Sequence, residues 1–155
     1  LNEKERHLTQ SIHRSGSVLL AIINDILDFS KIEAGKLQLE AIPFEVRRTI
    51  EEALAVSSPT AEQKGLRLSC QVDPRIPFSL IGDPTRLRQI LVNLVSNAVK
   101  FTEQGAITVS AELEETREGR YGLSVSVIDT GIGISLEAQT NISDAVAQAD
   151  GATTR

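Results

Sequence analysis

From Leu8 to Phe29 the apolar positions recur at helical spacing. Leu8, Ile12, Ser15, Leu19, Ile22, Ile26 and Phe29 alternate steps of four and three, an a/d heptad seam with one polar member, flanked by Leu20, Ile23 and Leu27. The pattern predicts a helix from near Asn2 to about Ile32, stopping at Ala34-Gly35 with Gly35 as its C-terminal cap. At 1.5 Å per residue such a helix is roughly 45 Å long, too long for a compact domain of this size. It is either a buried helix of a bundle or half of an antiparallel hairpin in a dimeric bundle. No other stretch of the chain is long enough to cover the seam, which favours the dimer.

After Gly35 the period changes. Leu37, Leu39 and Ala41 alternate with polar residues, as in a short strand ending at Pro43, and Val46, Ile50, Leu54 and Ala61 outline a helix to about Lys64, kinked at Pro59. Leu66–Val72 reads as a strand and Asp73–Gly82, with Pro74 and Pro77, as a loop. Asp83-Pro84 opens a further helix, with Asp as N-cap and Pro at the first helical position, running to about Phe101. Ala106–Leu113 and Tyr121–Ile128 are expected to form a hairpin across the charged turn Glu114–Gly119. Beyond Ser135 the chain is polar, Ala-rich and weakly patterned.

At 100° per residue, Arg86, Gln89, Asn93, Asn97 and Lys100 fall within about 80° of arc on the helix opened by Pro84, while Leu87, Leu91, Leu94 and Ala98 are assigned to the core side. A solvated face would carry mainly Glu and Lys; two Asn at i and i+4 are poor helix formers. An Asn carbonyl oxygen suits Mg²⁺, which keeps waters and takes phosphate oxygens as further ligands. Lys100, one turn beyond Asn97, can neutralise a phosphate as a point charge. Asp129-Thr130-Gly131-Ile132-Gly133-Ile134 follows an apolar run. A lone Gly-x-Gly is usually a plain turn. Paired with the amide helix, it gains a purpose: a buried Asp129 carboxylate can accept from the exocyclic amine of adenine, and Gly131 and Gly133 let the backbone approach the base.

Composition narrows the choices. The 155 residues suit one domain with an appended element, and 41% hydrophobic content supports a core that is aliphatic, since aromatics are 3% and Trp and Met are absent. A net charge of −5 with so few rings argues against general nucleic-acid binding, which relies on clustered cations and stacking platforms. The single Cys70 cannot form an internal disulfide, fits a reducing compartment, and reads as a buried strand thiol rather than a nucleophile. There is no apolar run long enough to span a membrane and no secretory leader, so no membrane contact is expected of this segment.

Four motifs carry a family resemblance across nearly the whole chain. Asn93-Leu94-x-x-Asn97-Ala98-x-Lys100-Phe101-Thr102 resembles the N box of bacterial sensor histidine kinases, and Asp129–Ile134 resembles their first glycine box. Gly82-Asp83-Pro84-x-Arg86-Leu87-Arg88-Gln89-Ile90-Leu91 is similar to the segment leading into that N box. Ile26–Lys36 is similar to the end of the second helix of the dimerisation and histidine-phosphotransfer domain, especially in hybrid kinases. The resemblance implies an α+β fold, the two-layer α/β sandwich of the histidine kinase, gyrase, MutL and Hsp90 ATPases. Residues 1–34 would be the dimerisation helix and residues 35–155 the ATP-binding catalytic domain. It further implies ATP and Mg²⁺ as cofactors, with Asn97 the principal metal ligand and Asn93 assisting. Lys100 would contact phosphate, Phe101 would pack near the nucleotide, and Asp129, Gly131 and Gly133 would hold the base. The implied partners are a second copy through the N-terminal helix and a response regulator or receiver domain. The implied location is cytoplasmic, with the parent protein open to anchoring in the inner membrane.

The chain also departs from the family pattern. Neither His7, followed by Leu-Thr-Gln, nor His13, followed by Arg-Ser-Gly, fits the phosphoacceptor motif His-Glu-x-x-Thr-Pro, and both read as surface residues. The second glycine box, Gly-x-Gly-Leu-Gly, is expected after the segment Gln148–Arg155, so the catalytic domain reads as truncated before it. Ser143 and Val146 stand where relatives carry two phenylalanines. Weakened nucleotide affinity and negligible autokinase activity are therefore expected of these residues alone. Two other readings compete. One is a dimerisation or scaffold module with a degenerate site. The other is an ATP hydrolase of the gyrase, MutL or Hsp90 type, in which a glutamate would stand at Asn93; an amide there cannot act as a base.

Overall fold

The computed structural model describes residues 3–115, 121–135 and 138–139. The chain divides into two compact units, one built on Leu1–Gln38 and the other on Leu39–Ala147.

The first unit is the helix α1, Glu3–Glu33, 31 residues long. It ends as the sequence predicts. Gly35 takes φ +62°, its N–H donates to Ile32 O at 2.9 Å, and the Lys36 N–H donates to Lys31 O at 2.8 Å, the paired bonds of a Schellman cap. Leu8, Ile12, Leu19, Ile26 and Phe29 of the heptad seam are each more than half exposed. The side chains of His7 and His13 lie outside those described.

The second unit is a two-layer sandwich. Strands β2 (Arg67–Val72), β4 (Ala106–Glu115) and β5 (Tyr121–Asp129) form one sheet in the order β2-β4-β5, the first pair parallel and the second antiparallel. Helices α2 (Val46–Gln63) and α3 (Pro84–Phe101) cover one face. Period-2 alternation decides which residues meet them. Ile107, Val109 and Ala111 of β4 are buried, their ladder partners include Leu68, Cys70 and Val72 of β2, and Leu123, Val125 and Val127 of β5 pack on the same cluster. The other face carries hydroxyl pairs, Ser69 with Thr108 and Ser110 with Ser126, each at 2.8 Å. Along α2 the buried positions Val46, Thr49, Ile50, Ala53, Leu54, Ser57 and Ala61 keep helical spacing through Pro59. A second Schellman cap closes α2: Gly65 N–H to Glu62 O at 3.0 Å and Leu66 N–H to Ala61 O at 2.9 Å, with Ala61 and Leu66 both in the core.

Two expectations are corrected. The alternation from Leu37 to Ala41 forms no strand; β1 is Ile42–Phe44, displaced beyond it and including Pro43. The stretch read as a loop to Gly82 ends in a strand, β3 (Leu80–Gly82), paired antiparallel with β1. Both strands are three residues long, too short for a periodic signal, and they exist because they pair with each other. The turn expected at 114–119 lies largely outside the described residues.

Asp83 caps α3 as predicted. Its Oδ1 accepts from the Arg86 N–H at 3.0 Å, and its Oδ2 accepts from the Glu40 N–H at 3.1 Å. These backbone bonds, Arg86 first, hold its carboxyl below the usual carboxylate range.

Candidate functional site

The end of α3 and the turn after β5 enclose a cleft of about 630 Å³. Of the seven residues singled out in the sequence, five line it: Asn97, Lys100, Phe101, Asp129 and Gly133. Asn93, one turn earlier on α3, is exposed outside the lining, and Gly131 lies just behind the wall.

Strand alternation brings Asp129 here. It continues the series Leu123, Val125, Val127 and is the ladder partner of buried Ile107, so it ends the helix-facing side of β5 where the core gives way to the cleft. Its carboxylate is exposed rather than buried, contrary to the sequence expectation, because the cleft is open at this end. Oδ1 accepts the Gly131 N–H at 2.8 Å.

The turn is tied down on both sides. Thr130 Oγ1 accepts from the Ala106 N–H and donates to Gln104 O, each at 3.1 Å, and the Ile132 N–H donates to Phe101 O at 3.4 Å. Gly131 is required by space: a Cβ there would stand 2.6 Å from Phe101 O and 2.7 Å from Asp129 Oδ1. Lys100 Nζ lies 5.0 Å from the centre of the Phe101 ring, so the cation and the ring share the α3 wall.

Apart from Ser135 the remaining wall is apolar, and the sequence reading missed part of it. Leu94 was assigned to the core side, but it is 46% exposed and lines the cleft with Ile132 and Ile134. On a helical wheel it is only about 60° from Asn97, and that proximity was the available signal. One face of α3 thus combines polar Asn97 and Lys100 with apolar Leu94 and Phe101, which suits a ligand that is flat and apolar at one end and anionic at the other. Among the described residues no three His, Cys, Asp or Glu side chains cluster as a metal cage. Cys70 sits half-buried on β2, where burial pushes its thiol pKa up, as a packing residue would have it.

Residues 82–155 match the family described as histidine kinase-, DNA gyrase B-, and HSP90-like ATPase. The chain is 44% identical over 155 residues to the signal transduction histidine-protein kinase BarA of Escherichia coli (strain K12), covering 100% of this chain and 17% of that protein. It is 49% identical over 145 residues to the sensor histidine kinase GacS of Pseudomonas protegens, covering 94% of this chain and 16% of that protein. The chain carries the catalytic ATP-binding domain of a histidine kinase. The fold agrees. Full-length ShkA, solved in complex with AMPPNP, matches with a TM-score of 0.71 at 30% identity, covering 99% of this chain and 35% of that one. This domain therefore has the α+β sandwich expected of the family, and the chain spans about a sixth of the length of BarA and GacS. The Ser143 and Val146 positions and the expected approach to a second glycine box lie outside the described residues. Among the described residues no helix is long and apolar enough to cross a membrane.

Proposed function

We propose that the cleft between α3 and the Asp129–Ile134 turn holds ATP with its adenine against Asp129 and its phosphates toward Asn97 and Lys100. The observation that carries this reading is the placement of Asp129 at the end of the core-facing side of β5, in one cleft with Asn97, Lys100 and Phe101. Asp129 Oδ1 is engaged by Gly131, which leaves Oδ2 for the adenine amine. Leu94, Phe101 and Ile132 supply apolar surface for the ring. Gly131 and Gly133 keep the turn free of side chains that would stand between backbone and base.

The donors suit Mg²⁺ brought in with the nucleotide. Asn97, with Asn93 one turn away, offers neutral amide oxygens and no carboxylate cage, and such a site is completed by phosphate oxygens and water. Bound there, the ion would neutralise charge on the phosphates during transfer. Lys100 adds a positive charge on the same wall, and its stacking on Phe101 orients it.

In the longer protein, this domain would supply the γ-phosphoryl group to a histidine for relay to a response regulator, in the cytoplasm where ATP is found. Residues 1–34 would dimerise through the exposed seam of α1, and residues 35–155 would form the catalytic domain. Titration of the protein with a fluorescent ATP analogue, with and without Mg²⁺, tests the reading. Saturable Mg²⁺-dependent binding, weakened on the order of tenfold or more by Asp129→Asn or Asn97→Ala, is expected. No binding at high micromolar protein would instead favour the scaffold reading.

A further inference from the structure

Lys64 directly follows α2 and lies outside the cleft, yet its ammonium closes the end of the helix that carries the cleft's polar residues. Nζ donates to Val99 O at 2.9 Å, Lys100 O at 3.1 Å and Thr102 O at 3.2 Å. The last carbonyls of a helix have no intrahelical partners, and here every one has been found another. Ala98 O accepts the N–H of the C-cap residue Thr102 at 3.0 Å, Phe101 O accepts the Ile132 N–H, and the remaining two, Val99 O and Lys100 O, converge on Lys64 together with Thr102 O. An ammonium has three donors, and all three are used. Its charge also sits at the negative end of the α3 dipole.

Lys64 is itself held firmly. It is the C-cap residue of α2, its N–H donates to Thr60 O and Ala61 O, and the Schellman bonds of Gly65 and Leu66 follow directly. One helix end therefore locks another. The locked stretch is also the cleft wall, since Lys100 and Phe101 line it and Phe101 O holds Ile132 of the glycine turn.

We propose that Lys64 is a positioning residue for the nucleotide site, fixing the end of α3 so that Lys100, Phe101 and the glycine turn keep their mutual placement. The proposal rests on the nucleotide reading above, and its test separates the two. Lys64→Met is made in the intact protein, with Ile50→Val as a control that loosens the core beneath the same helix pair. Backbone hydrogen exchange is followed without nucleotide, and affinity for the fluorescent ATP analogue is measured in parallel. Lys64→Met should speed exchange in segments 99–106 and 129–135 and weaken binding on the order of tenfold. Ile50→Val should leave affinity at the wild-type level. Unchanged exchange at 129–135, or an equal loss of affinity in Ile50→Val, would overturn the proposal. Lys64→Arg covers the case in which Lys64→Met does not fold. It keeps the charge, but a planar guanidinium cannot converge on three carbonyls, so the same changes should appear in smaller measure. Should wild-type protein bind no nucleotide, the site reading falls, and the exchange pattern still decides whether Lys64 holds the turn.

Discussion

Asp83 joins two segments through its two carboxylate oxygens, one capping α3 and the other holding Glu40 from before β1. Its folded pKa is depressed, so its contribution to stability is present above the unfolded carboxylate value and is lost as pH falls through the folded one. Asp83→Ala should therefore lower the melting temperature at pH 5–8, and the difference from wild type should shrink below about pH 4. Thermal unfolding across that range reads this directly. Thr102 presents the opposite case. It is fully buried, and its Oγ1 has no hydrogen-bond partner among the described residues. A buried hydroxyl left unpartnered costs about 1–3 kcal/mol, and valine has nearly the same shape. Thr102→Val should hold or raise stability by up to about 1 kcal/mol in urea unfolding. A marked fall would show that the hydroxyl is bonded through water.

At the scale of elements, long periodic stretches were legible and short mutually dependent ones were not. The bounds of α1 and α3 and their caps at Gly35 and Asp83 follow from local chemistry, and so do β2, β4 and β5. Strands β1 and β3 have no local signal, because each is defined only by the partner it pairs with. Five of the seven candidate site residues meet in one cleft, since helix period and strand alternation each point a known face in a known direction. Leu94 was misplaced because a wheel divides a helix into two sides, whereas α3 meets three surroundings: core, solvent and cleft. Lys64 gave no signal, because its partners are carbonyls some 35 to 38 residues away. The glycine turn offers a sharp test at this scale. Gly131→Ala forces a methyl group against Phe101 O and should cost about 1–3 kcal/mol while weakening nucleotide binding. Thermal unfolding and the analogue titration on one preparation check both effects.

For the whole molecule, the seam of α1 presents a row of exposed apolar side chains. Leu19 at 58% and Ile26 at 59% exposure are too apolar to stand in a row in water without a partner. The protein is expected to self-associate through this helix, and Ile26→Lys should shift sedimentation toward the monomer. The folded state and the ligand are also linked. Nucleotide at 100 times its Kd should add about 2.7 kcal/mol to the stability of the second unit, visible as a rise in melting temperature, and a tenfold weaker Asp129→Asn should keep only about 1.4 kcal/mol of it at the same concentration.

The parallel pairing of β2 with β4 has a kinetic consequence. Arg67 pairs with Ala106, and everything between them, including β3 and α3, must be gathered before that ladder can close. Such distant pairings carry a high contact order and slow the search for the native state. Asn97 and Lys100 lie on α3 and Asp129 at the far end of the β4–β5 hairpin, so the cleft exists only once α3 has docked onto that hairpin. A freshly synthesised chain would thus pass through a period in which its helices and hairpin are formed and it cannot yet bind its ligand.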